Sequence, residues 1–197
     1  NINIYALHTN GTLSGAFPSS AVVHTVAADQ RTQGDYYKSD LLYANSKNVA
    51  KTASSIPLTF YHMLSKVRVA IVSGTNSPNL TGATVQILGT KPSAGFTPSK
   101  TVNITQRADR AAMVAASGTA AAITVGNEPS PDFTPANVKY NDAVAVPQTL
   151  AAGTTFLSVE LASGRTMTYE LPGDLTLESG KYYIYEVTVN LPTGLAV

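Results

Sequence analysis

Apolar and polar residues alternate with a period of two along much of the chain. That spacing puts one face of a β-strand in a core and the other in water. The segment 56–73 (IPLTFYHMLSKVRVAIVS) is the longest such run. Leu58, Phe60, His62 and Leu64 share one parity, and Val67, Val69 and Ile71 the other, with Lys66 and Arg68 on the wet side. The parity changes at Ser65-Lys66, so a bulge or bend is expected there, because a one-residue slip turns every side chain over.

A hairpin is predicted near the C-terminus. Thr155, Leu157, Val159 and Leu161 alternate with Phe156, Ser158 and Glu160, and Met167, Tyr169 and Leu171 with Thr168 and Glu170. Between them Ala162-Ser163-Gly164-Arg165 supplies the glycine that a short loop needs. Pro172 ends the second strand, since proline cannot donate to a ladder. The last strong strand is 181–190 (KYYIYEVTVN), with Tyr183, Tyr185, Val187 and Val189 on one face. Weaker strands are expected at 2–7, 21–27, 40–43, 84–88, 101–104, 121–125 and 142–146, with loops at 9–20, 74–78, 90–98 and 127–136. The alanine-rich stretch 107–122 lacks a 3.6-residue apolar stripe and is interrupted by Ser117-Gly118, so it reads as a loop with one helical turn. Many short strands with frequent turn signals predict an all-β sandwich.

Composition narrows the function. With 44% hydrophobic residues over 197 positions, the chain can bury a real core. Charged residues make up 13%, about half the usual globular share of roughly 25%. Net charge is +1 with no basic run, which argues against nucleic acid or an anionic membrane as partner. The absence of cysteine excludes disulfides, thiolate metal sites and a cysteine nucleophile. No apolar run approaches the roughly 20 residues of a helical membrane span.

The candidates for chemistry are few. His8, His24 and His62 are the only histidines, and no HExxH is present. His62 reads as a half-buried histidine with one hydrogen bond, while His8 and His24 could meet if their strands pair. Two histidines alone do not make a metal site. Asp29, Asp35 and Asp40 are close in sequence but lack the dense oxygen pattern of a calcium loop, so they read as a solvated connector. There is no phosphate loop, nucleotide fingerprint or GxSxG elbow. Tyr36, Tyr37, Tyr43, Tyr61, Tyr182, Tyr183 and Tyr185 could form a stacking platform if several were exposed on one face. In strands, tyrosines more often fill the core or its rim. No catalytic, cofactor or metal residue is assigned, and no cofactor is expected. A hydrolase with scattered carboxylates is the reading these residues support least.

Four blocks carry a family resemblance: 29–44 (DQRTQGDYYKSDLLYA), 56–71 (IPLTFYHMLSKVRVAI), 144–161 (VAVPQTLAAGTTFLSVEL) and 177–190 (LESGKYYIYEVTVN). Their order and spacing resemble the fimbrillin-like family, the type V pilus subunits and surface lipoproteins of Gram-negative gut and oral anaerobes. The resemblance implies transthyretin-like β-sandwich domains: a complete C-terminal one at 56–197, and the later strands of an N-terminal one at 1–55, divided in the polar stretch 46–55. It implies a non-enzymatic subunit of a surface fimbria at the outer membrane, serving cell adhesion and joined to other subunits by β-strand exchange. It also implies secretion as a lipoprotein, although the lipidated cysteine of that family is not in this sequence. About half of the family's N-terminal domain would precede Asn1, and a further donor-type segment often follows the last strand in pilins. The alternative on the same fold is a surface lipoprotein that binds a glycan or a host ligand.

Overall fold

The computed structural model describes residues 1–52, 54–99, 104–125 and 138–191, with side chains from 141 in the last segment. Among them, the N-terminal part forms β1 (Ile2–His8), β2 (Leu13–Ser14), β3 (Val22–Thr25), β4 (Asp29–Gln30), helix α1 (Gln33–Lys38) and β5 (Leu42–Val49). The middle forms β6 (Tyr61–His62), β7 (Ser65–Ser73), β8 (Thr84–Ile87), β9 (Ser93–Phe96), helix α2 (Arg107–Ala111), β10 (Val114–Ser117) and β11 (Ile123–Val125). The rest forms β12 (Val138–Ala145), β13 (Gln148–Leu150), β14 (Thr155–Glu160), β15 (Thr166–Glu170), β16 (Leu175–Leu177) and β17 (Tyr182–Val189). The fold is all-β, as the alternation predicts. Neither helix is long and apolar enough to cross a membrane.

The strands build sheets in the orders β1-β5-β6, β10-β9-β3-β2, β15-β14-β8-β11-β4, β12-β7-β17 and β13-β16. The hairpin β14–β15 is antiparallel from Glu160↔Thr166 onward, and Gly164 turns it at φ 81°. Such a turn needs a positive φ that glycine adopts without steric cost. β7 lies between β12, antiparallel, and β17, parallel. Parallel neighbours need a long crossover, and here everything from 74 to 181 intervenes. Tyr185 of β17 meets Phe156 of β14 with ring centroids 5.2 Å apart, so the two larger sheets of the C-terminal part share a core.

Residues before 55 take partners from later in the chain. β3 pairs with β9, and β4 pairs with β11. Tyr43 packs edge-on against Phe96 at 5.0 Å. Val22, Leu41 and Tyr43 belong to the same buried cluster as Phe156 and Leu177.

The structure corrects several expectations. The segment 56–60 forms no strand, and Phe60 is exposed, because only Tyr61 and His62 find a partner, in β5. The break falls at Met63-Leu64, next to the expected bend. Arg68 is not wet: it is 6% exposed, because its guanidinium folds onto Asp142 of the neighbouring strand. The loop expected at 90–98 contains β9, which is held by β3 on one side and β10 on the other. The stretch 107–122 has its helical turn in α2, but Val114–Ser117 is a strand. β5 runs on to Val49, into the polar stretch 46–55. The loop expected at 127–136 and most of the strand expected at 101–104 lie outside the described residues.

Candidate functional site

The outer face of the β12-β7-β17 sheet carries a row set by register: Val144, Lys66 and Tyr182 lie side by side across the three strands. The next row is Asp142, Arg68 and Ile184. α1 is held over this face from two directions. Gln30, just before it, bonds the Val144 backbone twice, donating from Nε2 to the carbonyl at 2.9 Å and accepting from the N–H at 2.8 Å. Thr32 caps its start, with Oγ1 accepting from Asp35 N–H at 3.1 Å and donating to Asp35 Oδ2 at 2.7 Å. Ser39 ends it and lies fully buried, donating to the Asp35 carbonyl and accepting from Ala27 N–H.

Between helix and sheet lies a pocket of about 180 Å³. Tyr36 and Tyr182 wall it, Leu64 and Val144 supply apolar surface, and Asp40, His62, Lys66 and Lys181 supply charge. Lys66 Nζ sits 4.8 Å from the Tyr182 ring centroid and 5.8 Å from that of Tyr36, in cation–π range. The carboxylates at this site are already engaged. Asp40 accepts from Leu41 N–H at 2.9 Å and from His62 Nδ1 at 2.7 Å. Asp142 accepts both arms of Arg68, at 2.6 and 2.8 Å, and pairs with Lys66 at 2.9 Å. Glu178 accepts from Lys181 at 2.6 Å.

Titration follows these contacts. Burial works to raise the Asp142 pKa, but the hydrogen bonds from Arg68 and Lys66 outweigh it and hold the carboxyl below its ordinary value. Burial pushes the phenols of Tyr36 and Tyr182 up, so both stay protonated. The hydrogen bond to Asp40 raises His62 above its ordinary value, against burial and the nearby Lys66 ammonium. A histidine with a raised folded pKa stabilises the fold below its unfolded pKa, and that contribution fades as pH rises through the folded one. Asp40→Asn is expected to return the His62 imidazole to or below about 6.5, measurable by NMR titration of its ring protons. An unchanged His62 pKa in that variant would refute the pairing.

The second feature is an edge. β17 pairs with β7 alone, and among the described residues no strand lies on its other side. Lys181 and Val189 direct their carbonyls at β7, accepting from Lys66 and Gly74. Strand alternation therefore turns the backbone polar groups of Tyr182, Ile184, Glu186 and Thr188 toward the open side. Ile184 is 58% exposed and Tyr182 42%. On the inward face Tyr183, Tyr185 and Val187 are only half-buried. Burial, with Tyr169 and Tyr183 nearby, pushes the Tyr185 phenol up to about 12. β15, which carries Tyr169, is also an edge strand.

The remaining sequence candidates disperse. His62 does have its one hydrogen bond, but it is exposed rather than half-buried. The strands of His8 and His24 do not pair: β1 binds β5, and β3 lies between β2 and β9. His24 is buried and donates from Nε2 to the Ser39 carbonyl at 2.9 Å. Asp29 pairs with Arg31, and Asp35 lies in the first turn of α1 and accepts from the Thr32 cap. Among the described residues no three His, Asp or Glu side chains come together to hold a metal. The tyrosines split: Tyr43 is core, Tyr36 and Tyr182 wall the pocket, and Tyr183 and Tyr185 face the other side of their sheet. Sequence reasoning did not single out Lys66, Lys181 or Asp142. Their only local signal is charge inside strand alternation.

The fold recurs in solved structures. A candidate cell adhesion protein of Bacteroides uniformis superposes with TM-score 0.63 at 15% identity, covering 95% of this chain and 67% of the other. Another, from Bacteroides ovatus, gives TM-score 0.65 at 20% identity, covering 95% and 62%. The chain thus spans about two thirds of the length of these proteins. No protein with a curated description is significantly similar in sequence. The fimbrillin-like family model matches residues 1–197, so this chain, with its β-sheet core and four sequence blocks, belongs to the fimbrillin-like family.

Proposed function

We propose that this protein is a structural subunit of a bacterial surface fimbria, serving cell adhesion, and that it joins neighbouring subunits by β-strand addition along β17. The observation that carries the reading is the β17 edge, unpartnered among the described residues, above half-buried Tyr183, Tyr185 and Val187. An added strand would satisfy the outward backbone groups and cover those side chains, with main-chain bonds giving affinity and alternate side chains giving register. Family membership and the fold shared with candidate cell adhesion proteins support the same reading. A cell-surface location goes with it. Its other element, lipidation, comes from the family resemblance.

The test is a proline on the open side. Ile184→Pro removes a donor that faces away from β7, a place where edge strands tolerate proline. The variant is expected to fold, with near-native circular dichroism. In electron microscopy and sedimentation it should stay monomeric under conditions where the parent protein forms oligomers or fibres. Assembly of the variant at the parental rate would sink the strand-addition reading. A ligand-binding surface protein is the second reading, favoured by the tyrosine-walled pocket beneath α1.

A further inference from the structure

We propose that the pocket between α1 and the β12-β7-β17 sheet binds a single carboxylate-bearing sugar ring, of the uronic-acid kind. The inference does not rest on strand addition. Its basis is the balance of groups left open. Asp40, Asp142 and Glu178 are each held by donors of the protein itself. The groups with most capacity left are the remaining N–H donors of Lys66 and Lys181 and the Tyr36 and Tyr182 hydroxyls, with His62 Nε2 a further donor once its imidazole is protonated. A site rich in donors selects an acceptor-rich guest.

Charge points the same way. Asp142 accepts from Arg68 as well as Lys66, so Lys66 shares its carboxylate with a second cation. Behind the wall at Gly180 lies Arg110, 6% exposed and donating to the Ile104 and Thr105 carbonyls. Among the described residues Arg110 makes no ion pair. Gly180 keeps that wall thin: a Cβ there would stand 2.9 Å from the His62 carbonyl and 3.2 Å from an Arg110 nitrogen.

Size and surface choose the body of the guest. A pocket of about 180 Å³ falls short of the roughly 300 Å³ at which drug-sized sites begin. The walls of Tyr36, Tyr182, Leu64 and Val144 suit the C–H face of one saturated ring. A carboxylate at Lys66 gains charge-assisted bonds, joined by His62 when its imidazole is protonated, and ring hydroxyls meet the phenols.

The experiment is a 15N NMR titration of the protein with D-glucuronate, D-glucose and inorganic phosphate in parallel. Glucuronate is expected to give saturable shifts at 62–66 and 180–182, with glucose at least tenfold weaker. His62→Gln removes the imidazole on the exposed rim, a charged donor when protonated, without disturbing the core. It should weaken glucuronate about tenfold and leave the spectrum otherwise native. Lys66→Met should do the same, with Asp142 still held by Arg68. The proposal falls if glucose matches glucuronate, if phosphate binds more tightly, if the shifts lie elsewhere, or if neither variant changes the affinity. Fibre formation is read separately, so its loss or survival leaves this result intact.

Discussion

Asp142→Ala should destabilise the fold by about 3 kcal/mol, lowering the melting temperature by roughly 10 °C. The carboxylate is bound by both arms of Arg68 and by Lys66, and the Arg68 side chain is almost wholly removed from water. Deleting the acid strips a buried guanidinium of its bidentate carboxylate, with the Tyr182 ring 5.5 Å away. The cost of keeping that cation buried, rather than the lost attraction, dominates. The double variant Arg68→Met with Asp142→Leu removes charge from both sides and should regain most of the loss, or exceed the parent. Chemical denaturation of the single and double variants measures both. Sign and pH agree: a carboxyl with a depressed folded pKa stabilises above its unfolded value near 3.9, and that contribution is lost as pH falls through the folded one. Parent and Asp142→Asn should therefore converge in stability only as pH falls through the depressed folded-state pKa of Asp142. A single variant as stable as the parent would show that Arg68 reaches water after all.

Arg68 also shows where sequence reasoning stops. Alternation puts it opposite Val67 and Val69, and it does lie there. The partner that buries it is 74 residues away, at a register no local pattern encodes. The β14–β15 hairpin was legible because its turn, its glycine and both strands lie within twenty residues. β17 was legible because its alternation is strong, and the half-buried inner face at Tyr183, Tyr185 and Val187 matches it. β9 was not: Ser93–Phe96 contains two small residues and a glycine, and it is a strand because β3 and β10 flank it. The run 56–60 errs in the opposite direction, since it alternates well and has no ladder to join. α1 has six residues, too few for a helical stripe, yet Thr32 three positions before Asp35 is a capping signal that could have marked it. The pocket combines residues near 36–40, 62–66 and 180–182, and only the sheet register brings them together.

Phe96→Ala should cost about 3–5 kcal/mol, the range for a fully buried phenylalanine replaced in a core that cannot collapse around the gap. Phe96 lies where the first fifty residues lean on the rest. Its register partners are Val22 on one side and Val114 on the other, and its ring meets Tyr43 edge-on at 5.0 Å. Residues 1–55 by themselves offer β1, β2, β3, β4 and β5, yet β3 and β4 each depend on a strand beyond residue 90. Gln30 adds a bonded link across 114 residues to Val144. The loss at Phe96 should therefore spread across that seam. Native-state hydrogen exchange is expected to show the amides of β3, β9 and β10 losing protection together, by a common increment close to the global loss. The melting temperature should fall by roughly 10–15 °C in one cooperative step. If residues 1–55 instead opened alone, while β7, β12, β14 and β17 kept parental protection, the segment would be a separately stable unit resting on the remainder. The exchange pattern thus decides whether division near residue 55 describes how the chain folds or only how its sequence is composed.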